Sequence, residues 1–553
     1  MTPPTIASLL ATYLRLAGVT HVFGYPGESI VDFIEASRPG GPQIVSAVRE
    51  ASAAFMAEGA AMRTGLPGVA LSTLGPGSTA LLNGVASAHL DRIPLLAVSG
   101  QVDSGREQFW THQLVDHDRL YAPVTKLTAR LEPPSADVVI RKALRTATAE
   151  RPGAVHVTVT HDSFGKHITG TTDGPRLPPL GPPGGRPGLA GWSGEPGGGS
   201  AATLDFCGDD PARALRAARR PVVLAGAGAV RCGAAGALAD LSERIGAPVV
   251  VGAMAKGVID ERHPYFAGVL DMAGHKVVWS LLDSADLIVT AGFDSAELIT
   301  PWRIGTPVLH VDTTPNTDQV YPAGIEVVGS VRTALEWLAS AADGAPRWST
   351  EEVAAHRSAL RAGWEDGYEP DRLNPSDVVT TVRSAAPAGT VMTADVGSHK
   401  ITAGQAWTAF APRETLITNG LSSMGFGLPA AVGASLVSPG VPVVCLTGDG
   451  GFAMTASELS VAVRYRLPLV VVVFSDGVLN RIELHQASLG YPSTAISVDR
   501  TDVPSLAESL GCDGIRVESV SGLENALSSA FASRSRPLVI EARITTSQYS
   551  AQF

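Results

Sequence analysis

Acidic residues and glycines that directly follow two apolar runs are the most informative feature of the sequence. A Gly-Asp-Gly-Gly tetrapeptide at 448–451 follows the run 441–446, and Asp476 follows the run 469–474. An acid at the end of one strand and a second oxygen donor at the end of the next can bind one Mg²⁺, which also takes phosphate oxygens of a ligand. Glycines beside Asp449 let a diphosphate approach the backbone closely. The pattern therefore predicts a site for Mg²⁺ and a diphosphate.

These residues need a parallel sheet to position them. Residues 443–446 and 469–474 have the apolar pattern of buried parallel strands, and residues 458–466 that of the helix between them. In such a βαβ unit, ligands bind at the carboxyl ends of the strands. An isolated Gly-Asp-Gly is more often an ordinary strand-to-helix turn. The surrounding βαβ pattern is what favours a binding site here.

Further candidate residues lie upstream. Glu50 lies in a segment, 48–59, that is followed by Gly75-Pro76-Gly77 and then by Gln101 at the end of a Ser-Gly-Gln sequence. A third set of motifs precedes the tetrapeptide and reads Asp-Val-Gly-Ser-His-Lys at 395–400 and Asn-Gly-Leu-Ser-Ser-Met-Gly-Phe-Gly-Leu-Pro at 419–429. Taken alone, Glu50 would be read as a solvated acid at a helix start. The order of the motifs favours a functional role.

In order and spacing these motifs resemble those of thiamine-diphosphate (ThDP) enzymes of the acetolactate-synthase-like branch, which also includes pyruvate oxidases and 2-oxo acid decarboxylases. The resemblance covers nearly the whole chain. It implies an α/β protein of three doubly wound parallel-sheet domains: a pyrimidine-binding domain, a central domain and a diphosphate-binding domain. It also implies ThDP and Mg²⁺ as cofactors, and a homodimer or homotetramer in which each active site lies between subunits.

The resemblance assigns a role to each motif. Glu50 would hydrogen-bond N1′ of the cofactor's pyrimidine ring, and Met424 would support the bend of the cofactor from below. The residues expected to contact the cofactor are Gly75, Gly397, Ser398, His399, Gly420, Ser422, Met424, Gly448, Asp449, Gly450, Gly451, Asp476 and Val478. Three of these, Asp449, Asp476 and Val478, would be the metal ligands.

Four more residues are candidates for the catalytic steps that follow cofactor activation. Glu28 and His112, with Gln113 beside it, stand where decarboxylases of the family carry proton-relay groups, and Gln101 matches the carboligase branch. Glu28 is equally well read as an acid at a helix start, and His112 as a histidine in a surface loop. The glutamate that simple decarboxylases carry would fall near Ile482, with Glu483 one residue further on, and an apolar residue there weakly favours carboligation.

The sequence departs from the family pattern at several positions. Asp476 replaces an asparagine, which should preserve Mg²⁺ binding, and Ala80 replaces another asparagine. The central domain lacks the Arg-Phe-Asp-Asp-Arg run of flavin-binding acetolactate synthases, so we expect no FAD. A Gly-Ala-Gly turn at 226–228 lacks the third glycine and the later acid of a dinucleotide-binding loop, and a tight turn explains it better.

Composition divides the chain into domains. A Pro- and Gly-rich stretch predicts a linker at 171–202, and a second break predicts another at 344–374. These breaks separate a pyrimidine-binding domain (1–170), a central domain (203–343) and a diphosphate- and Mg-binding domain (375–553). In the central domain, short β-branched runs separated by helical patterns predict another parallel sheet; they cover 221–224, 248–251, 287–291 and 308–311.

Overall composition excludes several classes of protein. A net charge of −11 without a basic cluster disfavours nucleic-acid binding. We find no apolar stretch that could span a membrane and no signal peptide, and the four cysteines are scattered without metal or disulfide spacing. We therefore expect a cytoplasmic protein that binds neither nucleic acid nor membranes.

The sequence thus predicts a ThDP- and Mg²⁺-dependent lyase or carboligase that acts on a small, pyruvate-like 2-oxo acid. One alternative is a specialised decarboxylase or synthase of secondary metabolism. A non-enzyme alternative is an inactive ThDP-binding subunit, although such a protein would be expected to have lost Glu50, Asp449 or Asp476.

Overall fold

The computed structural model describes residues 3–38, 40–169, 175–177, 180, 204–499, 501–531 and 536–550. Three α/β units follow one another along these residues, each built on a central sheet whose strands are mostly parallel and buried. The fold class predicted from the sequence is confirmed.

The N-terminal sheet is entirely parallel, with the strand order β2-β1-β3-β4-β6-β5. Its strands are β1 (His21–Gly24), β2 (Gln43–Ser46), β3 (Gly68–Ser72), β4 (Leu95–Gln101), β5 (Thr128–Arg130) and β6 (Ala154–Thr160). Its helices are α1 (Ile6–Leu16), α2 (Val31–Ser37), α3 (Glu50–Thr64), α4 (Gly75–Leu90), α5 (His117–Tyr121), α6 (Ala136–Thr148) and α7 (His161–Phe164). The central strands β3, β4 and β6 are buried along their whole length, because helices cover both faces.

The central sheet has the order β10-β9-β8-β11-β12-β13-β7. Its strands are β7 (Asp205–Gly208), β8 (Pro221–Ala225), β9 (Val249–Gly252), β10 (Phe266–Leu270), β11 (Leu287–Ala291), β12 (Val308–Asp312) and β13 (Ile325–Val328). Its helices are α8 (Pro211–Ala217), α9 (Ala227–Arg231), α10 (Ala235–Ile245), α11 (His275–Ser284) and α12 (Val331–Ala341). The edge strand β7 pairs antiparallel with β13, so this sheet is mixed where a wholly parallel one was expected.

The C-terminal sheet is again parallel, with the order β15-β14-β16-β17-β19-β18. Its strands are β14 (Val391–Ala394), β15 (Thr415–Ile417), β16 (Val443–Gly448), β17 (Leu469–Ser475), β18 (Asp513–Val517) and β19 (Leu538–Arg543). The remaining helices are α13 (Thr350–Glu365), α14 (Pro375–Ala385), α15 (Ser398–Ala406), α16 (Gly427–Val437), α17 (Asp449–Thr455), α18 (Leu459–Arg464), α19 (Asn480–Ser488), α20 (Val503–Ser509), α21 (Val520–Leu527) and α22 (Ser547–Ser550). Short 3₁₀ helices cover Glu28–Ile30, Ala122–Val124, Ala253–Ala255, Ser295–Glu297 and Ala456–Glu458.

The two predicted linkers differ in what the structure describes. Most of 171–202 lies outside the described residues. The segment 344–374 contains α13, whose Leu360 and Trp364 side chains are buried in the core that the central and C-terminal units share. This segment is therefore more than a bare connection, because apolar residues at helical spacing give it a face to bury.

The N- and C-terminal units pack directly through α3 and α16. A Cβ atom on Gly59 would lie 2.5 Å from the carbonyl oxygen of Ala430, and one on Gly433 would lie 2.0 Å from that of Met56. The two glycines allow the helix backbones to touch. Phe55 packs edge-on against Phe426, with ring centroids 5.9 Å apart. This contact fixes the start of α3, where Glu50 lies, relative to the turn that precedes α16.

No helix among the described residues is both long and apolar enough to cross a bilayer.

Candidate active site

The Asp449 carboxylate connects the carboxyl ends of two neighbouring strands. Strand β16 ends at Gly448 and α17 begins at Asp449. Its Oδ1 accepts a hydrogen bond from Gly450 N (2.8 Å), and its Oδ2 accepts one from Gly477 N (2.8 Å), just beyond β17. Asp476 lies in the same turn, where its Oδ1 accepts a hydrogen bond from Val478 N (3.0 Å). The structure thus brings the two predicted acidic ligands to one edge of the sheet.

The electrostatics of this edge favour a bound cation. Burial raises the pKa of both carboxyls, and repulsion from Asp449 and Glu483 helps to bring the pKa of Asp476 to about 7. A divalent cation would relieve this repulsion. Among the described residues, no three or more His, Cys, Asp or Glu side chains converge as a metal site. The donors at this edge are carboxylate oxygens, which fit Mg²⁺, a cation that completes its shell with backbone oxygens, water and phosphate.

The loops at 397–399 and 448–451 form a cradle around the His399 ring. A Cβ on Gly397 would lie 2.7 Å from His399 Cε1, and one on Gly448 would lie 3.2 Å from it, so side chains at either position would crowd the ring. The ring stacks on Phe474, and burial lowers the pKa of His399 to about 3, which keeps it neutral. Its Nε2 is buried and has no hydrogen-bond partner within the described part of the chain. This orphaned polar atom and the small residues around it fit a bound diphosphate.

Two more residues support these loops. The Ser398 hydroxyl donates to Asn480 Oδ1 (2.9 Å) at the start of α19. The carboxylate of Asp395 is fully buried and accepts hydrogen bonds from Gly425 N (2.9 Å) and Thr447 Oγ1 (3.1 Å). We did not single out Asp395 from the sequence, although an acid directly after a buried apolar run was a signal for it. It joins β14 and β16 to the turn that carries Met424.

Met424, predicted to support the bend of the cofactor, lies beside the tetrapeptide. A Cβ on Gly450 would lie 3.3 Å from Met424 Cε. Gly420 and Asn419 both donate their backbone N–H groups to Asp91 Oδ1, so the N-terminal unit holds this loop. The Ser422 backbone has a positive φ of 51°, and its hydroxyl donates to Asn419 O. The loop is therefore preformed.

Glu50 lies at the start of α3, against the start of α4. Its Oε1 is 3.0 Å from where a Cβ of Gly77 would lie, so a larger residue there would displace it. The preceding backbone is held by Glu458 of the C-terminal unit, whose Oε2 accepts from Val48 N (3.0 Å) and whose Oε1 accepts from Arg49 N (3.2 Å). Sequence reasoning missed Glu458, because its partners are about 400 positions away.

The remaining predicted residues have different surroundings. Gln101 is buried, and its amide is used inside the protein: Nε2 donates to Val115 O (2.8 Å) and Oε1 accepts from Val102 N (3.0 Å). Its amide thus holds the loop that carries His112 and Gln113. Gln113 O lies 2.4 Å from the Cβ position of Gly75, so that loop covers the start of α4. Glu28 and the side chains of His112 and Gln113 are exposed on the single chain.

Comparison with known proteins gives a consistent result. The thiamine pyrophosphate enzyme family matches in three parts: its N-terminal TPP binding domain matches residues 4–120, its central domain 209–338 and its C-terminal TPP binding domain 395–542. An acetolactate synthase of Bacillus subtilis is 30% identical over 540 residues, covering 94% of this chain and 90% of the relative. The large subunit of acetolactate synthase isozyme 3 of Escherichia coli is 30% identical over 549 residues, covering 95% and 92%.

A further relative is named as a decarboxylase and not as a synthase. A probable 2-ketoarginine decarboxylase of Pseudomonas aeruginosa is 29% identical over 546 residues, covering 95% of this chain and 91% of that protein. These similarities extend over all three units. They include the loops at 397–399 and 448–451, which form the glycine cradle, and the sheet edge that carries Asp449 and Asp476. The chain is therefore an enzyme of the thiamine pyrophosphate family, in its acetolactate-synthase-like branch.

Proposed function

We propose that this protein is a ThDP- and Mg²⁺-dependent enzyme that decarboxylates a small 2-oxo acid and joins the remaining fragment to an acceptor. The observation that carries the proposal is the Asp449 carboxylate, which bridges the ends of β16 and β17 next to Asp476 and the glycine cradle. This edge offers one hard cation and one diphosphate a common place to bind.

When bound, ThDP supplies a carbon nucleophile for the 2-oxo group and takes up the electron pair as CO₂ leaves. The protein's own residues bind and orient. Asp449 and Asp476, with the Val478 carbonyl, would hold Mg²⁺ against the diphosphate. The backbone at 448–451 and the His399 ring would line the diphosphate, and Met424 would support the ring system.

Glu50 would hold the proton at N1′ of the pyrimidine ring. Its position depends on Gly77 at its side and on Glu458 behind it. In the family, Glu50 and the metal ligands of one site come from different subunits, so we propose a homodimer or homotetramer as the active form. The partly exposed position of Glu50 on the single chain supports this arrangement.

The fate of the fragment depends on the groups that can supply a proton. The Ile482 side chain has no acidic proton to donate, which supports transfer to an acceptor carbonyl over simple protonation. Glu28 and His112 could supply a proton once a second subunit covers them, and the similarity to a probable 2-ketoarginine decarboxylase supports a specialised decarboxylase as the second candidate.

We also propose that the central domain binds no flavin. The Gly-Ala-Gly turn at 226–228 donates Ala227 N to Glu297 Oε2 (2.9 Å), a carboxylate of the same domain. A Cβ on Gly226 would lie 2.3 Å from that oxygen. The backbone donor that a dinucleotide phosphate would need is therefore already used.

A cytoplasmic location is part of the proposal. The four cysteines are free, and three of them, Cys232, Cys445 and Cys512, are buried in apolar cores. Unpaired cysteines suit a reducing compartment.

The test uses the purified protein with ThDP, Mg²⁺ and a panel of 2-oxo acids, following CO₂ and products. We expect turnover of at least one acid and its loss in Glu50→Gln, because an amide cannot hold the N1′ proton. The variant should also lose hydrogen–deuterium exchange at C2 of bound ThDP. Wild-type exchange rates in Glu50→Gln would show that Glu50 is misplaced, and no turnover of any acid with intact ThDP binding would favour the inactive-subunit alternative.

A further inference from the structure

A cavity of about 660 Å³ lies where the three units meet. The N-terminal unit contributes Arg92 to its wall, the central unit contributes Asp271, and the C-terminal unit contributes Lys400. The cavity reaches Gly397 and Ser422, both of which we place at the cofactor. A substrate held at the cofactor can therefore extend into this space.

Lys400 is the unusual member of the wall. Its side chain is buried, with 6% of the residue exposed, and within the described residues no carboxylate or other acceptor lies at hydrogen-bond distance from its Nζ. The other buried lysine among the described residues, Lys256, pairs with Glu261 at 2.7 Å. The partly buried Lys126 donates to two backbone carbonyls at 2.6 and 2.7 Å. An unpaired buried ammonium is costly unless something compensates it.

Among the described carboxylates, Asp271 attracts Lys400 most strongly. Its Oδ1 accepts from Met272 N, and its Oδ2 is buried without a hydrogen-bond partner among the described residues. Burial lowers the pKa of Lys400, and the attraction of Asp271 offsets this only in part. Among the described residues no carboxylate oxygen lies within ion-pair distance of Lys400 Nζ, and Asp271, Asp91 and Asp395 attract it only from farther away. The cavity therefore presents a cation without a direct partner to whatever enters it.

We propose that Lys400 binds a second carboxylate of the substrate, at the end remote from the reacting carbonyl, and that the enzyme therefore prefers a 2-oxo diacid to a simple 2-oxo acid. This rests on the proposed function. The cavity is many times larger than a three-carbon acid needs and lies within the range of ordinary ligand sites. A buried ammonium is a strong partner for a carboxylate in such a site.

The first test compares two acids of equal chain length, 2-oxopentanedioate and 2-oxopentanoate, in the ThDP- and Mg²⁺-loaded protein. We expect the wild type to have the higher kcat/KM on the diacid. Lys400→Met should lower the ratio of kcat/KM for diacid over monoacid by roughly 10- to 100-fold, the effect of losing one hydrogen bond to a charged group. Lys142→Met, which removes an exposed lysine, is the matched control and should keep the ratio. A wild type without preference, or a variant with an unchanged ratio, would overturn the proposal.

The second test needs no turnover, so it separates this proposal from the proposed function. Calorimetry with pentanedioate and pentanoate as probes should show tighter binding of the diacid, weakened at least tenfold in Lys400→Met even if no 2-oxo acid reacts. Equal binding by both proteins points to a water-bridged pair with Asp271 and overturns the proposal. So does a tenfold loss of ThDP affinity, which would place Lys400 on the diphosphate. Lys400→Gln serves as a second variant that keeps a polar group in the cavity.

Discussion

Glu458 should control how firmly Glu50 is held, and Glu458→Gln tests this. The carboxylate accepts hydrogen bonds from Val48 N and Arg49 N, immediately before Glu50, and is itself fully buried. Its negative charge also lies at the N-terminus of α3, where the helix dipole favours an anion. Glutamine keeps one oxygen and replaces the other with N–H donors that face a backbone N–H.

The expected loss follows from these contacts. One hydrogen bond to a charged acceptor is lost and one backbone N–H is left without a partner, which costs about 1–3 kcal/mol. The Val48 and Arg49 side chains are exposed, so water can replace part of the lost hydrogen bond. We therefore expect a cost in the lower part of that range, about 1–2 kcal/mol. Local opening of the backbone at residues 48–53 should then become roughly 5 to 30 times more frequent.

Amide hydrogen exchange measures that opening directly. In Glu458→Gln, the amides at 48–53 should exchange faster by this factor, and hydrogen–deuterium exchange at C2 of bound ThDP should slow because Glu50 is less well placed. Glu524→Gln, an exposed change of the same kind, is the control and should alter neither. Unchanged protection at Val48 and Arg49 would refute the reasoning.

Four further outcomes can be checked. Asp449→Ala should weaken ThDP and Mg²⁺ binding together in calorimetry, and unchanged ThDP affinity would exclude 448–451 as the metal site. Glu28→Gln should slow a late step by roughly 10²–10⁴-fold while C2 exchange stays near the wild-type rate; full turnover would leave Glu28 as a helix-start acid. Burial raises the pKa of Glu297 to about 8. The protein therefore has the full stability that neutral Glu297 contributes below about pH 4, and it loses that stability as the pH rises through 8. Glu297→Gln should therefore lose less stability than the wild type between pH 6 and 9 in denaturant titrations of the central domain. The purified protein should show no flavin absorbance after denaturation, and one FAD per chain would contradict our reading of the turn at 226–228.

Local patterns predicted the sheets and the position of the site. The β-branched runs at 221–224 and 287–291 became β8 and β11 with at most one added residue, because a strand buried on both faces must be apolar throughout. The short edge strand β7 was missed, since it has four residues, all exposed, and two apolar side chains are too few to show a strand pattern. The helix predicted at 458–466 begins as a 3₁₀ turn at Ala456–Glu458 and ends at Arg464.

Side-chain partners were less predictable than elements. Asp449 and Asp476 could be placed together because parallel strands end at the same edge. Nothing local shows that Glu458 holds the backbone before Glu50, or that Lys400 is buried without a partner. The Glu458 contacts form only when the N- and C-terminal units pack together. The surroundings of Lys400 form only after all three units have packed.

The packing of α3 on α16 also has a consequence for how the chain is made. Gly59 is synthesised 371 residues before Ala430, against which its backbone packs. At ribosomal rates of roughly 5–20 residues per second, α16 is synthesised about 20–75 s after α3. During that time Phe55 and the surrounding alanines cannot be covered by α16. A nascent chain halted before α16 is therefore expected to aggregate through this face, whereas the completed chain buries it.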